Sequence, residues 1–178
     1  MKIAVYCGAE CGKNQSYLDA ATETGRWIAS KKHTLIYGGG NTGLMGTVAK
    51  EVFSAGCEVI AVIPQNVEFI ASRPQPFATK IIKTADMSER KHKMLEEADA
   101  FIALPGGIGT LDEISEVMTL TKIGVFNKKS VLFNKDGFYE PLKNLFQKMI
   151  DSAFMTNENL SHVIFAKNTA EIENLLQN

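Results

Sequence analysis

The sequence predicts an α/β protein: a doubly wound parallel sheet with helices on both faces, in a single domain over residues 1–178. Three observations support this prediction. The length of 178 residues suits one domain with one sizeable core. Short apolar runs rich in β-branched or aromatic residues alternate with longer stretches of helical spacing, as in βαβ units. Glycines cluster after the predicted strands, at the edge where such sheets bind ligands.

The short apolar runs predict strands at residues 3–7, 34–37, 58–63, 80–83, 100–104, 130–133 and 163–165. The stretches between them predict helices at residues 15–31, 43–55, 87–98, 109–123, 140–151 and 169–176. In the first helix, apolar or small residues recur at steps of three and four from Tyr17 to Ile28, so one face lies on the sheet. Residues 64–79 hold three of the five prolines and show no period, which predicts a long surface loop acting as a lid or mobile segment.

Composition and charge narrow the function classes. Apolar residues make up 45% and charged residues 22%, as in soluble globular proteins. The net charge of -1 gives no positive field, so nucleic acid is not an expected partner. No apolar run approaches the roughly 18 residues of a membrane span, and the three cysteines are too few for a disulfide framework, so we expect a cytoplasmic protein. No metal is expected, because no pair among the histidines has the spacing of a metal site: His33, His92 and His162.

Glycine-rich loops follow three of the predicted strands. A glycine lets the backbone approach a ligand closely, and a loop that opens a helix directs free N–H groups at an anion. Ordinary tight turns are the alternative for any one loop, but three together favour a phosphate-bearing ligand. The glycines are Gly8, Gly12, Gly38, Gly39, Gly40, Gly43, Gly46, Gly106, Gly107 and Gly109.

Two nucleotide motifs match only in part. Residues 38–43 satisfy G-x-G-x-x-G, but they follow the second strand, and the third strand ends without the acid that binds ribose hydroxyls. NAD or FAD binding is therefore not favoured. Residues 8–14 resemble a P-loop but place Asn14 where the magnesium-binding Ser or Thr belongs, which excludes a P-loop NTPase.

The strongest signal is P-G-G-I-G-T-L-D-E at residues 105–113. The amides of its glycines and the Thr110 hydroxyl are suited to bind a phosphate at a helix N-terminus. Asp112 and Glu113 also have structural interpretations, since acids are preferred in any first helical turn and Glu113 has the spacing of a capping-box partner of Thr110. Upstream, Arg90 and Lys91 open a basic run that is either a solvated helix face or a clamp for phosphate or sugar.

Four ordered motifs resemble the Lonely Guy (LOG) family, the cytokinin riboside 5′-monophosphate phosphoribohydrolases. Residues 105–113 resemble its P-G-G-x-G-T-x-x-E, and residues 38–46 its G-G-G-x-x-G-L-M-G. Residues 87–91 resemble its M-x-x-R-K, and residues 5–8 its opening strand and C-G turn. The resemblance spans residues 2–142 and implies a Rossmann-like fold, the same doubly wound layer.

The resemblance also implies an activity and a site. Members hydrolyse the N-glycosidic bond of adenosine-type 5′-monophosphates to free base and ribose 5-phosphate, usually as homodimers without metal or redox cofactor. Their catalytic arginine and glutamate correspond to Arg90 and Glu113. The further positions implied to bind substrate are Gly8, Gly39, Gly40, Gly43, Met87, Lys91, Gly106, Gly107, Ile108, Gly109, Thr110, Leu111, Asp112 and Thr119.

The chain departs from the family pattern near the base pocket. Residues 66–74 lack the family's R-E element, and Glu68 is a candidate replacement at a shifted position. Asp112 stands in the common L-E-E, and Leu120 replaces a tryptophan. The choice between AMP and N6-prenyl-AMP therefore stays open.

Two other functions and one assembly state are considered. A non-catalytic nucleotide or cofactor carrier of the same fold would bind its ligand without releasing base. Amino-acid decarboxylation would need a pyridoxal phosphate Schiff-base lysine, and no lysine here has that context. A homodimer is expected, because the helix at residues 109–123 has more apolar side chains than one sheet contact covers: Ile114, Val117, Met118 and Ile123.

Overall fold

A computed structural model describes residues 1–161 and 163–177, and within them seven strands form one parallel sheet. The strand order is β4-β3-β2-β1-β5-β6-β7, which confirms the predicted fold class. Each predicted strand is present, and its ends lie within one residue of the prediction. The strands are β1 Lys2–Tyr6, β2 Thr34–Tyr37, β3 Val59–Pro64, β4 Lys80–Thr84, β5 Ala100–Ala103, β6 Lys129–Phe133 and β7 Val163–Ala166.

The six predicted helices are also present within one residue, and two short α-helices and a 3₁₀ helix at Lys135–Gly137 were not predicted. The α3 helix lies inside the segment predicted as a long loop, and α7 precedes β7. Of the histidines, His162 lies outside the described residues. The helices are α1 Gln15–Ser30, α2 Gly43–Ser54, α3 Glu68–Ala71, α4 Met87–Glu97, α5 Ile108–Lys122, α6 Glu140–Asp151, α7 Asn157–Ser161 and α8 Thr169–Gln177.

The sheet is covered on both faces, as a parallel sheet requires. Along β1, the buried side chains of Ile3 and Val5 enter one core layer, and those of Ala4 and Tyr6 enter the other. The first layer is closed by α1, α2 and α8, and the second by α4, α5 and α6. Helices on opposite faces therefore begin at the same carboxyl edge of the sheet.

Two polar caps fix where helices start at that edge. The Asn14 side chain accepts the Ser16 N–H at 3.1 Å and caps α1. The Asp86 carboxylate accepts the Glu89 N–H at 2.8 Å and caps α4.

Among the described residues, no helix combines the length and apolarity needed to cross a membrane. That part of the chain also holds no group of three or more His, Cys, Asp or Glu side chains placed for a metal ion.

Candidate active site

The site lies where the strand order reverses, between β1 and β5. From β1 the chain moves outward to β2, whereas β5 leads to β6 on the other side, so the loops after β1 and β5 diverge above a crevice. The Leu104 N–H donates to the Tyr6 carbonyl at 2.9 Å, and the Gly8 N–H donates to the Pro105 carbonyl at 3.0 Å. These bonds tie the two loops together at the point where ligands bind in this fold.

The P-G-G loop presents the N-terminus of α5 to that crevice. Gly107 is the N-cap, with no side-chain cap, so the first amides of α5 have no intrahelical acceptor. A Cβ added at Gly107 or Gly109 would meet nothing within 4 Å, which shows open space in front of this backbone. Behind it, a Cβ at Gly106 would lie 2.1 Å from the Thr110 hydroxyl, so only glycine permits this close packing. The loop is thus suited to an anion.

Arg90 is anchored by one backbone and one side-chain acceptor. Its Nε donates to the Val62 carbonyl at 3.1 Å, and its Nη1 donates to Oε1 of Glu113 at 2.9 Å. The side chains of Arg90 and Glu113 are 8% and 13% exposed. The sequence pattern had put both residues in the site, and the structure joins them in a nearly buried ion pair.

The surroundings of Glu113 oppose its charge. Burial raises the pKa of the Glu113 carboxyl above its usual 4.5, and the Arg90 guanidinium partly offsets that rise. Burial, together with the Glu113 charge, likewise raises the pKa of the Cys7 thiol. The capping-box interpretation of Glu113 is wrong, because α5 is capped at Gly107 rather than Thr110 and the carboxylate reaches Arg90.

The pair opens into a cavity of about 310 Å³, which we call the reaction cavity. It contains eight of the predicted site residues and three further residues, Cys7, Ala9 and Met45, that were not predicted as site residues. Met45 lies within the G-L-M-G motif, which could have identified it as a site residue. The lining residues are Cys7, Gly8, Ala9, Met45, Met87, Arg90, Gly107, Gly109, Thr110, Asp112 and Glu113.

Lys91 and Asp112 pair with each other. The Lys91 Nζ donates to both oxygens of Asp112 at 3.1 Å and lies 3.1 Å from a Glu116 oxygen. These contacts join α4 to α5 on the outer side of the Arg90–Glu113 pair. Lys91 itself is absent from the reaction-cavity lining as the described residues define it.

The glycines of the loop after β2 support the site from behind. A Cβ at Gly43, where φ is +60°, would lie 2.1 Å from the Ala9 carbonyl oxygen, so α2 approaches the β1 loop closely. Gly39 lies against Ile63, and Gly40 lies against Met45. In the described part of the chain, these three glycines shape the walls and do not line the reaction cavity.

Three other predicted positions lie elsewhere. Ile108 points into solvent with 81% exposure. Leu111 packs against the second core layer. Thr119 lies in a separate groove beside Phe154 and Met155, and its hydroxyl donates to the Ser115 carbonyl at 2.8 Å.

A second cavity of about 410 Å³ adjoins the reaction cavity across Gly8, Ala9 and Gly107. Its walls are mainly apolar and include Tyr17 and Phe138, whose rings meet edge-on at 5.3 Å. Next to it, the buried Tyr139 hydroxyl donates to the Leu104 carbonyl at 2.6 Å, which supports the start of the P-G-G loop.

The segment at residues 64–79, predicted as a lid or a mobile segment, packs against the first core layer. Phe77 and Ile70 pack against the first core layer, and Gln75 lies over Gly39. Glu68, the suggested replacement for the family's glutamate, is exposed at the start of α3, outside the lining of both cavities.

Comparison with known proteins gives sequence and structural relatives. Residues 45–176 match the protein family described as "Possible lysine decarboxylase". Cytokinin riboside 5′-monophosphate phosphoribohydrolase LOG7 of Arabidopsis thaliana is 37% identical over 180 residues, covering 99% of this chain and 81% of the relative. The enzyme named LOG of Oryza sativa subsp. japonica is 39% identical over 171 residues, covering 96% and 70%.

The structural relatives show the fold alone, since their sequence identity is low. The molybdenum cofactor carrier protein of Chlamydomonas reinhardtii has a TM-score of 0.74 at 22% identity, covering 99% of this chain and 98% of that chain. The molybdenum cofactor binding protein of Rippkaea orientalis has a TM-score of 0.73 at 21% identity, covering 99% and 94%. The family-model match and the sequence relatives, which cover nearly the whole chain, establish that the chain belongs to the LOG family.

Proposed function

We propose that this protein hydrolyses the N-glycosidic bond of adenosine-type nucleoside 5′-monophosphates, AMP or N6-prenyl-AMP, to free base and ribose 5-phosphate. One observation carries the proposal: the buried Arg90–Glu113 pair, 2.9 Å apart, faces the same cavity as the open amides of the P-G-G loop. A phosphate site and an ionisable carboxylate are thus within reach of one small ligand. Relatives named phosphoribohydrolases support it.

In this proposal the P-G-G loop binds the 5′-phosphate. The first amides of α5 donate to its oxygens, and the helix dipole favours its negative charge. Asp112 and Lys91 neutralise each other at the rim, so the loop amides carry the phosphate contact. The bound phosphate holds the ribose over Glu113, and this positioning lowers the activation barrier of the reaction.

Glu113 acts on the anomeric carbon of the ribose. As the C1′–N9 bond breaks, its electron pair leaves with the base and positive charge develops at C1′. A carboxylate in a desolvated site stabilises that charge more strongly than it would in water. Water then forms the new C1′–O bond, and a proton goes to the departing base, so atoms and charge balance.

Arg90 favours the anionic form of Glu113. Burial alone favours the protonated carboxylic acid, and the guanidinium at 2.9 Å lowers the pKa of Glu113 against that effect. Arg90 is itself fixed by the Val62 carbonyl, so the carboxylate is held in place before substrate arrives. We assign both residues as catalytic.

The residues give amino-acid decarboxylation no support despite the family description. A pyridoxal phosphate enzyme needs a lysine in its cofactor pocket. Within the described residues, neither cavity at the site is lined by a lysine, and Lys91 is engaged by Asp112 and Glu116.

The proposal includes a cytoplasmic homodimer that binds no nucleic acid, metal or redox cofactor. Ile114 and Val117, from which a dimer was expected, are fully buried in this chain's own core, so they contribute no surface. Ile123 and Phe154, 63% and 82% exposed, are the candidates on this face. Light scattering at micromolar concentration should give twice the chain mass, and a monomeric mass would contradict the dimer.

The substrate class is tested by incubating the protein with AMP, N6-isopentenyl-AMP and adenosine in parallel. Free base, measured by chromatography, should appear from the monophosphates and not from adenosine, because adenosine lacks the group that the P-G-G loop binds. Release from adenosine at an equal rate would contradict the assigned phosphate site. Bound AMP without base release would favour the carrier function instead.

A further inference from the structure

Gly38, which follows directly on β2, lies against the guanidinium of Arg90. A Cβ built on Gly38 would lie 2.1 Å from Nη2 and 3.3 Å from Cζ of Arg90. The third nearest atom is Sδ of Met45 at 3.6 Å, which is an ordinary contact. A side chain at position 38 would therefore displace two of these three atoms, and both belong to Arg90.

The tip of an arginine usually gives way at little cost, because the side chain has many rotamers. Arg90 differs, since Val62 and Glu113 accept hydrogen bonds from its Nε and Nη1, and only 8% of the side chain is exposed. Moving the guanidinium away from Gly38 strains or breaks these bonds. The backbone of Gly38 lies outside the left-handed region, so alanine carries no conformational penalty there.

We propose that Gly38 is a positioning residue for Arg90: the missing Cβ leaves a slot that holds the guanidinium against Val62 and Glu113. Gly38 does not line the reaction cavity and touches no reacting atom. Its part in catalysis rests on the proposed function, whereas the slot itself is a property of the folded chain. A side chain at this position moves Arg90 and leaves Glu113 with a weakened partner.

The test combines Gly38→Ala with Arg90→Lys. Lysine keeps a positive charge for Glu113 but has no atom at the position of Nη2, so it removes the clash. In urea unfolding, Gly38→Ala should lower the midpoint in the wild-type background and leave it nearly unchanged in the Arg90→Lys background. An equal drop in both backgrounds would overturn the proposal, because the cost would then come from the backbone.

Base release from AMP supplies the kinetic readout. Gly38→Ala should lower kcat about 10- to 100-fold, as expected for a catalytic group displaced by about 1 Å, with KM changed by less than about threefold. In the Arg90→Lys background the same substitution should change kcat by less than about threefold. An equal loss of kcat in both backgrounds would refute the slot.

Gly25→Ala is the matched control. A Cβ there would lie 2.9 Å from the Val48 carbonyl oxygen and 2.7 Å from Cβ of Glu51, between α1 and α2 and away from the cavity. It should lower the urea midpoint equally in both backgrounds and leave kcat unchanged. If the wild type released no base but the midpoints behaved as expected, the slot would stand and the proposed function would fall.

Discussion

Replacing Glu113 by glutamine removes the charge from the centre of the site and keeps its shape. The Arg90 side chain is 8% exposed, so the guanidinium loses an ionic partner where water cannot substitute for it. A charge-assisted hydrogen bond contributes about 1.5–3 kcal/mol. Because burial opposes the Glu113 charge more strongly than Arg90 favours it, the neutral amide offsets this loss, and we expect the unfolding free energy to change by less than about 1 kcal/mol.

The effect on catalysis is larger. An amide cannot stabilise positive charge at C1′ as a carboxylate does, and removing one preorganised electrostatic group costs about 10²–10³ in kcat. The assay is adenine release from AMP, with AMP affinity measured by calorimetry. Affinity should change by less than about threefold, since the P-G-G loop that holds the phosphate is intact.

Glu116→Gln is the matched control, one helical turn further along α5. Glu116 pairs with Lys91 and does not line the reaction cavity, and the two side chains are 36% and 24% exposed. Its kcat should stay within about twofold of wild type. The reasoning is refuted if Glu113→Gln retains wild-type kcat while Arg90 still lies against residue 113.

The pKa of Glu113 in the free protein is raised above its usual 4.5, so the acid limb of kcat/KM against pH should lie above 4.5. The stability contributed by the protonated form is present below 4.5 and is lost as pH rises through the folded pKa, and Glu113→Gln should abolish this pH dependence of the unfolding free energy. Tyr139→Phe leaves the buried Leu104 carbonyl without its 2.6 Å donor and should cost about 1–2 kcal/mol by urea unfolding, and an unchanged midpoint would refute the contact. Gly106→Ala places a Cβ 2.1 Å from the Thr110 hydroxyl and should weaken AMP binding at least about tenfold by calorimetry, whereas unchanged affinity would exclude the loop as the phosphate site.

The sequence predicted the sheet well because its central strands β1, β2, β3, β5 and β6 are almost completely buried, whereas the edge strand β4 is mostly exposed. Such strands are short apolar runs bounded by glycine, proline or polar residues, and each of these runs forms a strand. The helices α3 and α7 were missed, since four or five residues make too few turns to show a period of 3.6. The segment at residues 64–79 was set apart by its prolines, but its packing on the first core layer had no local signal.

The site was predicted in its parts and not in its contacts. The glycine loop and the two residues proposed as catalytic follow from motifs, but Arg90 and Glu113 are 23 positions apart on different helices. In the sheet, β3 and β5 lie on either side of the pair β2 and β1. This strand order places α4 beside α5, where the two side chains meet. Gly38 gave no sign of its role, because a slot for a distant side chain is a property of the packed fold.

The central claim is that this chain breaks the bond between base and ribose. The direct test is to incubate the wild-type protein with AMP and quantify adenine and ribose 5-phosphate in the same sample. We predict equal amounts of both, formed far faster than without protein and lost together in Glu113→Gln. Intact AMP recovered from protein that demonstrably binds it would contradict the claim.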